Sequence, residues 1–360
     1  MSHPLAPQPL DAANALPARF YVGQDALARD RDAVLRRGWQ CIAHVSQLRE
    51  AGDHVVAELG GVPVIAVRGE DGDDGPSDIR VLHNVCRHRA GPLARCDGRG
   101  ARRLRCLYHG WSYDLSGRLL SAPEMGGACD FDVSSIALPI CESHVWQGLV
   151  FAAIEPAMPF DALVAGIDAR IAGHDIAGYG HHQRVAYDIA CDWKAYVDNY
   201  LEGYHVPHVH PALNRMLDYR SYRTELAPWH NLQWSPLEST DALYGSGDAL
   251  YYWLWPNTML NLLPGRLQTN RVLPLGAGRC RVEFDFYYPD DDSGAAQARR
   301  DADRDFSDLV QREDLVICED VQRGLASGSY VAGRLNPLRE SGVHHFHELL
   351  RAAYRAHDAD

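Results

Sequence analysis

Two short segments carry paired metal ligands: Cys86-Arg87-His88 and, after seventeen intervening residues, Cys106-Leu107-Tyr108-His109. Each offers one thiol and one imidazole. A [2Fe–2S] cluster with two thiolates on one iron and two imidazoles on the other needs that mixture. Its neutral imidazoles raise the reduction potential above that of an all-cysteine cluster. Zinc also accepts two Cys and two His. Zinc fingers, however, pair Cys with Cys and His with His, whereas each segment here mixes them, so the spacing favours the cluster.

A second set of ligand-type residues lies between Asp192 and His210. If Asp192 to His205 is one helix, Asp198, Glu202 and His205 fall at i, i+4 and i+7 and share a face. Pro207 then interrupts the helix and can turn His210 back toward His205. Two imidazoles and one carboxylate make the facial triad of non-haem Fe(II) oxygenases, with positions open for O₂. A lone His on a helix is usually a surface or core residue. Here two of them follow a carboxylate cluster in a chain that already offers an electron-transfer centre. The third ligand must come from elsewhere. In Phe306–Leu325 the apolar stripe Phe306, Val310, Ile317, Val321 includes Asp314. A buried carboxylate is costly unless paired or metal-bound, so Asp314 is the candidate. Glu313, Glu319 and Asp320 fall nearer the flanks, where a solvated face accounts for them.

Those residues need elements to hold them. The 360 residues suffice for two domains, and 46% hydrophobic content suffices for their cores. From Trp39 to about Glu155, short apolar runs are broken by Gly, Pro and Asp. His54–Glu58, Pro63–Val67 and Ile79–Leu82 read as strands, with an acidic turn at Glu70–Pro76 between the last two. Asp25–Arg37 before this region and Phe160–Ala172 after it read as helices. Val185–Ile189 reads as a strand, and further strands run to Tyr288. Among them Val282–Phe286 alternates strictly, which predicts one buried face. Ala295–Leu325 and Val343–His357 read as long helices. A sheet followed by long helices indicates an α+β fold.

The net charge of −13 gives no basic footprint for nucleic acid. No run approaches the ~20 apolar residues that span a bilayer. The first residues lack the pattern of a signal peptide. Nine cysteines, two of them claimed by the cluster, argue against a disulfide framework and for a reducing, cytoplasmic setting.

Together the motifs resemble the α subunits of Rieske non-haem iron oxygenases over nearly the whole chain. They are C-x-H…C-x-x-H-G-W at Cys86–Trp111, D-W-K…D-N-x-x-E-x-Y-H-x-x-x-x-H at Asp192–His210, and E-D…E-D-V-Q-R-G-L at Glu313–Leu325. The resemblance implies a β-rich Rieske domain over 39–155, inserted in a helix-grip-like catalytic domain of 1–38 and 156–360. That catalytic domain would have an antiparallel sheet and long C-terminal helices. Cys86, His88, Cys106 and His109 would hold the cluster, and His205, His210 and Asp314 the iron. Family members are trimers in which the cluster of one subunit serves the iron of the next through a bridging carboxylate. Glu202 stands at the matching place, with Asp198 as the competing candidate and Asn199 beside it.

Within the family, Trp255–Asn261, Thr269–Gly276, Cys318–Leu325 and His344–His347 resemble choline, glycine betaine and carnitine monooxygenases. That implies oxidation beside a quaternary nitrogen. Aromatic faces hold such a cation, and Tyr251, Trp253 and Trp255 are candidates. Each could equally be a strand core residue. The chain lacks a G-x-G-x-x-G dinucleotide fingerprint, so electrons from NAD(P)H would arrive through a separate flavin/iron–sulfur reductase. The alternatives are an aromatic ring dioxygenase or O-demethylase, and a Rieske-type electron carrier. A carrier needs only about 100 residues and has no use for His205, His210 and Asp314.

Overall fold

The computed structural model describes residues 4–70, 78–237 and 243–359. Apart from Glu70, the acidic turn expected at 70–76 lies outside them. The chain divides into two compact units, one of residues 36–157 and one of residues 1–35 with 158–360.

The unit of residues 36–157 is built on nine strands. They are β1 (Gln40–His44), β2 (His54–Leu59), β3 (Val62–Arg68), β4 (Ile79–His83), β5 (Leu104–Arg105), β6 (Ser112–Tyr113), β7 (Leu119–Ser121), β8 (Ile140–Trp146) and β9 (Leu149–Ala153). Six form an antiparallel sheet in the order β1-β9-β8-β4-β3-β2, and three form a small sheet, β5-β6-β7. The unbroken apolar run of β3 has a cause: Val64 and Ala66 enter one core while Ile65 and Val67 enter another. Both faces are covered, so neither takes a polar residue. The core around Ile65 and Val67 also holds Cys86, Cys106, Trp111 and Tyr113, so it supports both cluster loops.

The other unit opens with α1 (Gln24–Asp30), which runs into a π-helical turn at Arg31–Leu35. The helix expected over 160–172 is two, α2 (Phe160–Leu163) and α3 (Ile167–Ile171), separated by Gly166 at φ +82°. Next come β10 (Gly180–Ile189), α4 (Trp193–Tyr200), α5 (Val206–Val209), α6 (Pro211–Met216) and β11 (Arg223–Leu226). They are followed by β12 (His230–Leu237), β13 (Gly247–Leu254), β14 (Thr258–Leu263), β15 (Arg266–Gly276) and β16 (Arg279–Tyr288). The long helices α7 (Gly294–Ala326) and α8 (Ser341–Ala359) end the chain. The seven strands form an antiparallel sheet in the order β10-β16-β15-β14-β13-β12-β11. The fold is therefore α+β, with an antiparallel sheet and long C-terminal helices. In β16, Val282, Phe284 and Phe286 share the expected buried face, but Asp285 on the other face is buried too. Arg184 clamps it with bonds of 2.9 and 2.8 Å, and His181 lies 2.8 Å away.

The helix expected over 192–205 stops at Tyr200, so Asp198, Glu202 and His205 do not share one helical face. Its start is firmly held. Asp192 caps it by accepting the Lys194 N–H at 3.0 Å. The wholly buried Lys194 ammonium bonds Asp30 and lies 2.8 Å from Asp192, while Trp193 Nε1 and Tyr354 Oη also donate to Asp30. The D-W-K motif thus ties α4 to α1 and α8. Burial pushes the Asp192 carboxyl up to about 7, against the pull of Lys194. Beyond Tyr200, the Glu202 carboxylate accepts the backbone N–H groups of Tyr204 and His205 and so replaces the helical pattern. Pro207 does not interrupt a helix; it sits in the first turn of α5, and Pro211 in that of α6, where a missing N–H costs nothing. His210 is the joint between those two helices.

Among the described residues no helix is long and apolar enough to cross a membrane. None of the nine cysteines is in a disulfide.

Candidate functional site

The two cluster loops have the same internal wiring. Cys86 N–H donates to Gly91 O at 2.9 Å, and Ala90 N–H returns to Cys86 O at 3.0 Å. Cys106 N–H donates to Trp111 O at 2.7 Å, and Gly110 N–H returns to Cys106 O at 3.1 Å. The fifth residue of each loop takes positive φ, +55° at Ala90 and +76° at Gly110. Gly91 allows the loops to face each other, since a Cβ there would lie 3.0 Å from Cys106 Sγ. Both thiols are buried, whereas His109 is exposed and His88 half-buried. The imidazole rings lie 4.7 Å apart, and His88 stacks on Trp111.

This arrangement fits a [2Fe–2S] cluster. His88 Nδ1 is buried without a hydrogen-bond partner in the protein, as expected of an atom reserved for a metal. Burial pushes the Cys86 thiol up, and a bound cation would offset that cost. Tyr113 Oη accepts the Arg87 N–H at 3.0 Å, so its own hydrogen is free for Cys86 Sγ at 3.2 Å. Nothing in its sequence context marked Tyr113 for this place.

In the flanking unit, His205, His210 and Asp314 offer ligand atoms all within 4.8 Å of one another. His210 Nε2 lies 3.0 Å and His205 Nε2 3.7 Å from Asp314 Oδ1. The other nitrogen of each ring faces a carboxylate: His205 Nδ1 lies 2.7 Å from Glu202, and His210 Nδ1 lies 2.7 Å from Glu313. A carboxylate accepts, so each Nδ1 carries the proton and each Nε2 lone pair is left facing Asp314. Three acceptors converge, and only Asp314 receives a donor, from Asn199; the group calls for a cation, and its ligand set is that of non-haem Fe(II). With no cation in place, Asp314 and Glu313 would hold a second proton on His210 and raise its pKa, although burial opposes that charge. Asn199 Nδ2 donates to Asp314 Oδ1 at 2.7 Å and orients that carboxylate.

Glu313 was read from the sequence as part of a solvated flank. Its side chain is only 27% exposed because it reaches back to His210, and no spacing rule signalled that. The buried face of α7 also differs from the expected stripe. Asp303, Gln311, Cys318 and Gln322 are buried, whereas Val321 is exposed. Asp314 is half-buried on that largely polar face. Asp198 makes no bond to either imidazole. It accepts from Tyr21 Oη at 2.6 Å and lies 2.9 Å from His347 Nε2, in the wall of a cavity of about 500 Å³ that also borders Glu202 and His205.

A cavity of about 130 Å³ opens on the three-ligand group and is walled by Tyr200, Tyr222, Tyr244, Tyr251 and Phe306, among others. Burial raises the phenol of Tyr251 to about 12 and holds those of Tyr200 and Tyr222 well above 10, so these rings stay neutral. Of the aromatic residues singled out on β13 and just beyond it, only Tyr251 lines this cavity. Trp253 and Trp255 do not. Trp253 shares the strand face of Tyr251 but lies under α8, with its ring 5.3 Å from Phe346 and its Nε1 donating to Pro256 O. Trp255 packs edge-on against Trp253. Both are core residues. Tyr200 at the end of α4, Tyr222 just before β11, Arg266 at the start of β15 and Gln311 on α7 line the cavity instead.

A β-rich unit with a mixed Cys/His loop pair, joined to an antiparallel sheet that carries a two-histidine, one-carboxylate group, defines the class. The chain belongs to the Rieske non-haem iron oxygenase α subunits. Residues 38–137 match the Rieske [2Fe-2S] domain family, and residues 176–356 match the catalytic domain of the ring hydroxylating alpha subunit family. Choline monooxygenase of Arabidopsis thaliana is 34% identical over 95% of this chain and 83% of its own length. The carnitine monooxygenase oxygenase subunit of Escherichia coli K12 is 29% identical over 94% of each. The fold is similar to that of the quaternary ammonium Rieske monooxygenase CntA in complex with L-carnitine. Its TM-score is 0.83 at 24% identity, covering 97% of this chain and 99% of that one.

Proposed function

We propose that the chain is the terminal oxygenase of a multicomponent system that hydroxylates a compact quaternary ammonium compound. The observation that carries the reading is the convergence of His205, His210 and Asp314 beside a cavity walled by neutral tyrosines. In this reading His205, His210 and Asp314 hold iron, and Cys86, His88, Cys106 and His109 hold the cluster. Iron supplied with electrons through the cluster activates O₂ for insertion into a C–H bond. The protein's own part is placement. Glu202 and Glu313 fix the tautomer and tilt of the two imidazoles. Asn199 holds Asp314. Tyr200, Tyr222 and Tyr251 offer π faces to a quaternary nitrogen, which strips water from the cation and sets an N-methyl or neighbouring carbon toward the histidines.

Hydroxylation of an N-methyl gives a hemiaminal that releases formaldehyde and the demethylated amine. Hydroxylation of an alcohol carbon gives an aldehyde hydrate. Electrons come from NAD(P)H through a separate reductase, and the assembly is a homotrimer in which Glu202 links one subunit's cluster to the next subunit's iron. The test is O₂ uptake with a surrogate reductase on a panel of quaternary amines and aromatic acids. Amine-dependent uptake with formaldehyde or aldehyde release supports the reading. Uptake coupled only to aromatic acids overturns it.

A further inference from the structure

The wall of the cavity also carries buried donors. Arg266 is 6% exposed and Gln311 is 2% exposed, and both line the cavity. Each holds an N–H that finds no acceptor in the protein: Nε of Arg266 and Nε2 of Gln311. The rest of both side chains is engaged. Arg266 Nη1 lies 3.1 Å from Asp303, and Nη2 donates to Gln268. Gln311 Oε1 accepts the Tyr196 hydroxyl at 2.7 Å. Gln268 Nε2 donates to Ser307 Oγ at 2.8 Å, and Ser307 precedes Gln311 by one turn of α7. A buried donor without an acceptor costs about 1–3 kcal/mol, and a guanidinium N–H is among the costlier. Two such donors belong to residues that line one cavity, so an acceptor that arrives with the ligand can satisfy them.

We propose that Arg266 and Gln311 bind the carboxylate of the substrate, so that the chain selects zwitterionic betaines over choline-type alcohols. This rests on the quaternary-amine reading above and deepens it. Tyr222, beside Gly203 and near Glu202 on the metal side, takes the cationic end. The carboxylate end meets Arg266 and Gln311. A guanidinium N–H paired with an amide N–H prefers an anionic oxygen to a hydroxyl, because charge-assisted bonds are about twice as strong as neutral ones. Asp303 already offsets the Arg266 charge, and Tyr244 and Tyr288 donate to Asp303, so the incoming carboxylate meets directed N–H groups rather than a bare cation.

The experiment is equilibrium binding by calorimetry to the anaerobic holoenzyme, paired with KM and kcat from O₂ uptake. The ligands are γ-butyrobetaine and its methyl ester, and glycine betaine and choline. Wild type should bind each carboxylate at least tenfold tighter than its partner. In Gln311→Glu the acceptor for Tyr196 is kept and the donor is lost, and the preference should fall at least tenfold, in KM rather than kcat. Arg266→Lys, which keeps the charge near Asp303 but loses Nε, should move it the same way. Equal or tighter binding of the ester and of choline to wild type overturns the carboxylate assignment while the quaternary-amine reading stands. A preference unchanged in both variants overturns the roles of Arg266 and Gln311. If none of the four ligands binds, the quaternary-amine reading fails and this inference fails with it.

Discussion

Each imidazole at the candidate iron site rests on its own carboxylate, His205 on Glu202 and His210 on Glu313, both at 2.7 Å. The two supports are expected to differ in consequence. Glu313→Gln should weaken iron retention by about 10–100-fold, the usual cost of losing a partner behind a metal-bound histidine. Glu202→Gln should spare both metals but slow reoxidation of the reduced cluster by O₂ with substrate bound, because Glu202 is proposed to carry the link between centres. Iron content and stopped-flow absorbance check the pair. Loss of iron from Glu202→Gln, with Glu313→Gln unaffected, would reverse the roles. At this scale the sequence was legible where chemistry is written in type and spacing: Cys86, His88, Cys106, His109, His205 and His210. Glu313, Tyr113, Arg266 and Gln311 were not. Each reaches its place through a long side chain or a strand pairing that no local pattern encodes. Trp253 is the strand core residue that its position also allowed: its face passes from cavity to core within two residues as α8 covers it.

Among the elements, α4 has the most to explain, since it ends just before the ligands. Its start depends on the Lys194 ammonium, buried between Asp30 and Asp192. Lys194→Met leaves two buried carboxylates without their cation and should cost about 3–5 kcal/mol. Urea denaturation would check this, and a change under 1 kcal/mol would mean the carboxylates share a proton instead. Helix α8 gives a pH signature. Burial lowers the His345 pKa to about 4 from an ordinary 6.5. The unfolded chain therefore binds this proton before the folded one does. The stability held by the neutral ring is full above pH 6.5 and drains away as pH falls from 6.5 toward 4, by about 2 kcal/mol between pH 7 and 5. His345→Gln, which does not titrate, should flatten that part of the stability profile; superimposable profiles would contradict it. Helix existence was legible from periodicity at α7 and α8. Helix ends were not, because Gly166, Pro211 and the Glu202 carboxylate redirect the backbone locally.

At the scale of the whole molecule, each of two compact units supplies one candidate metal group, and the α+β class followed from the order of strand-like and helix-like runs. What composition could not carry was the sheet order, since the pairing of β10 with β16 runs from Ile189↔Cys280 to Gly180↔Tyr288, far apart in the sequence. The account stands or falls on two distinct metal centres in one chain. The direct measurement is metal analysis together with EPR of the reduced protein, on wild type and on Asp314→Ala. Wild type should hold the two irons of a cluster plus one more and give a rhombic Rieske-type signal. Asp314→Ala should lose only the additional iron and all turnover, with the signal unchanged. A zinc-only protein without that signal, or an Asp314→Ala variant with full iron and full activity, would contradict it.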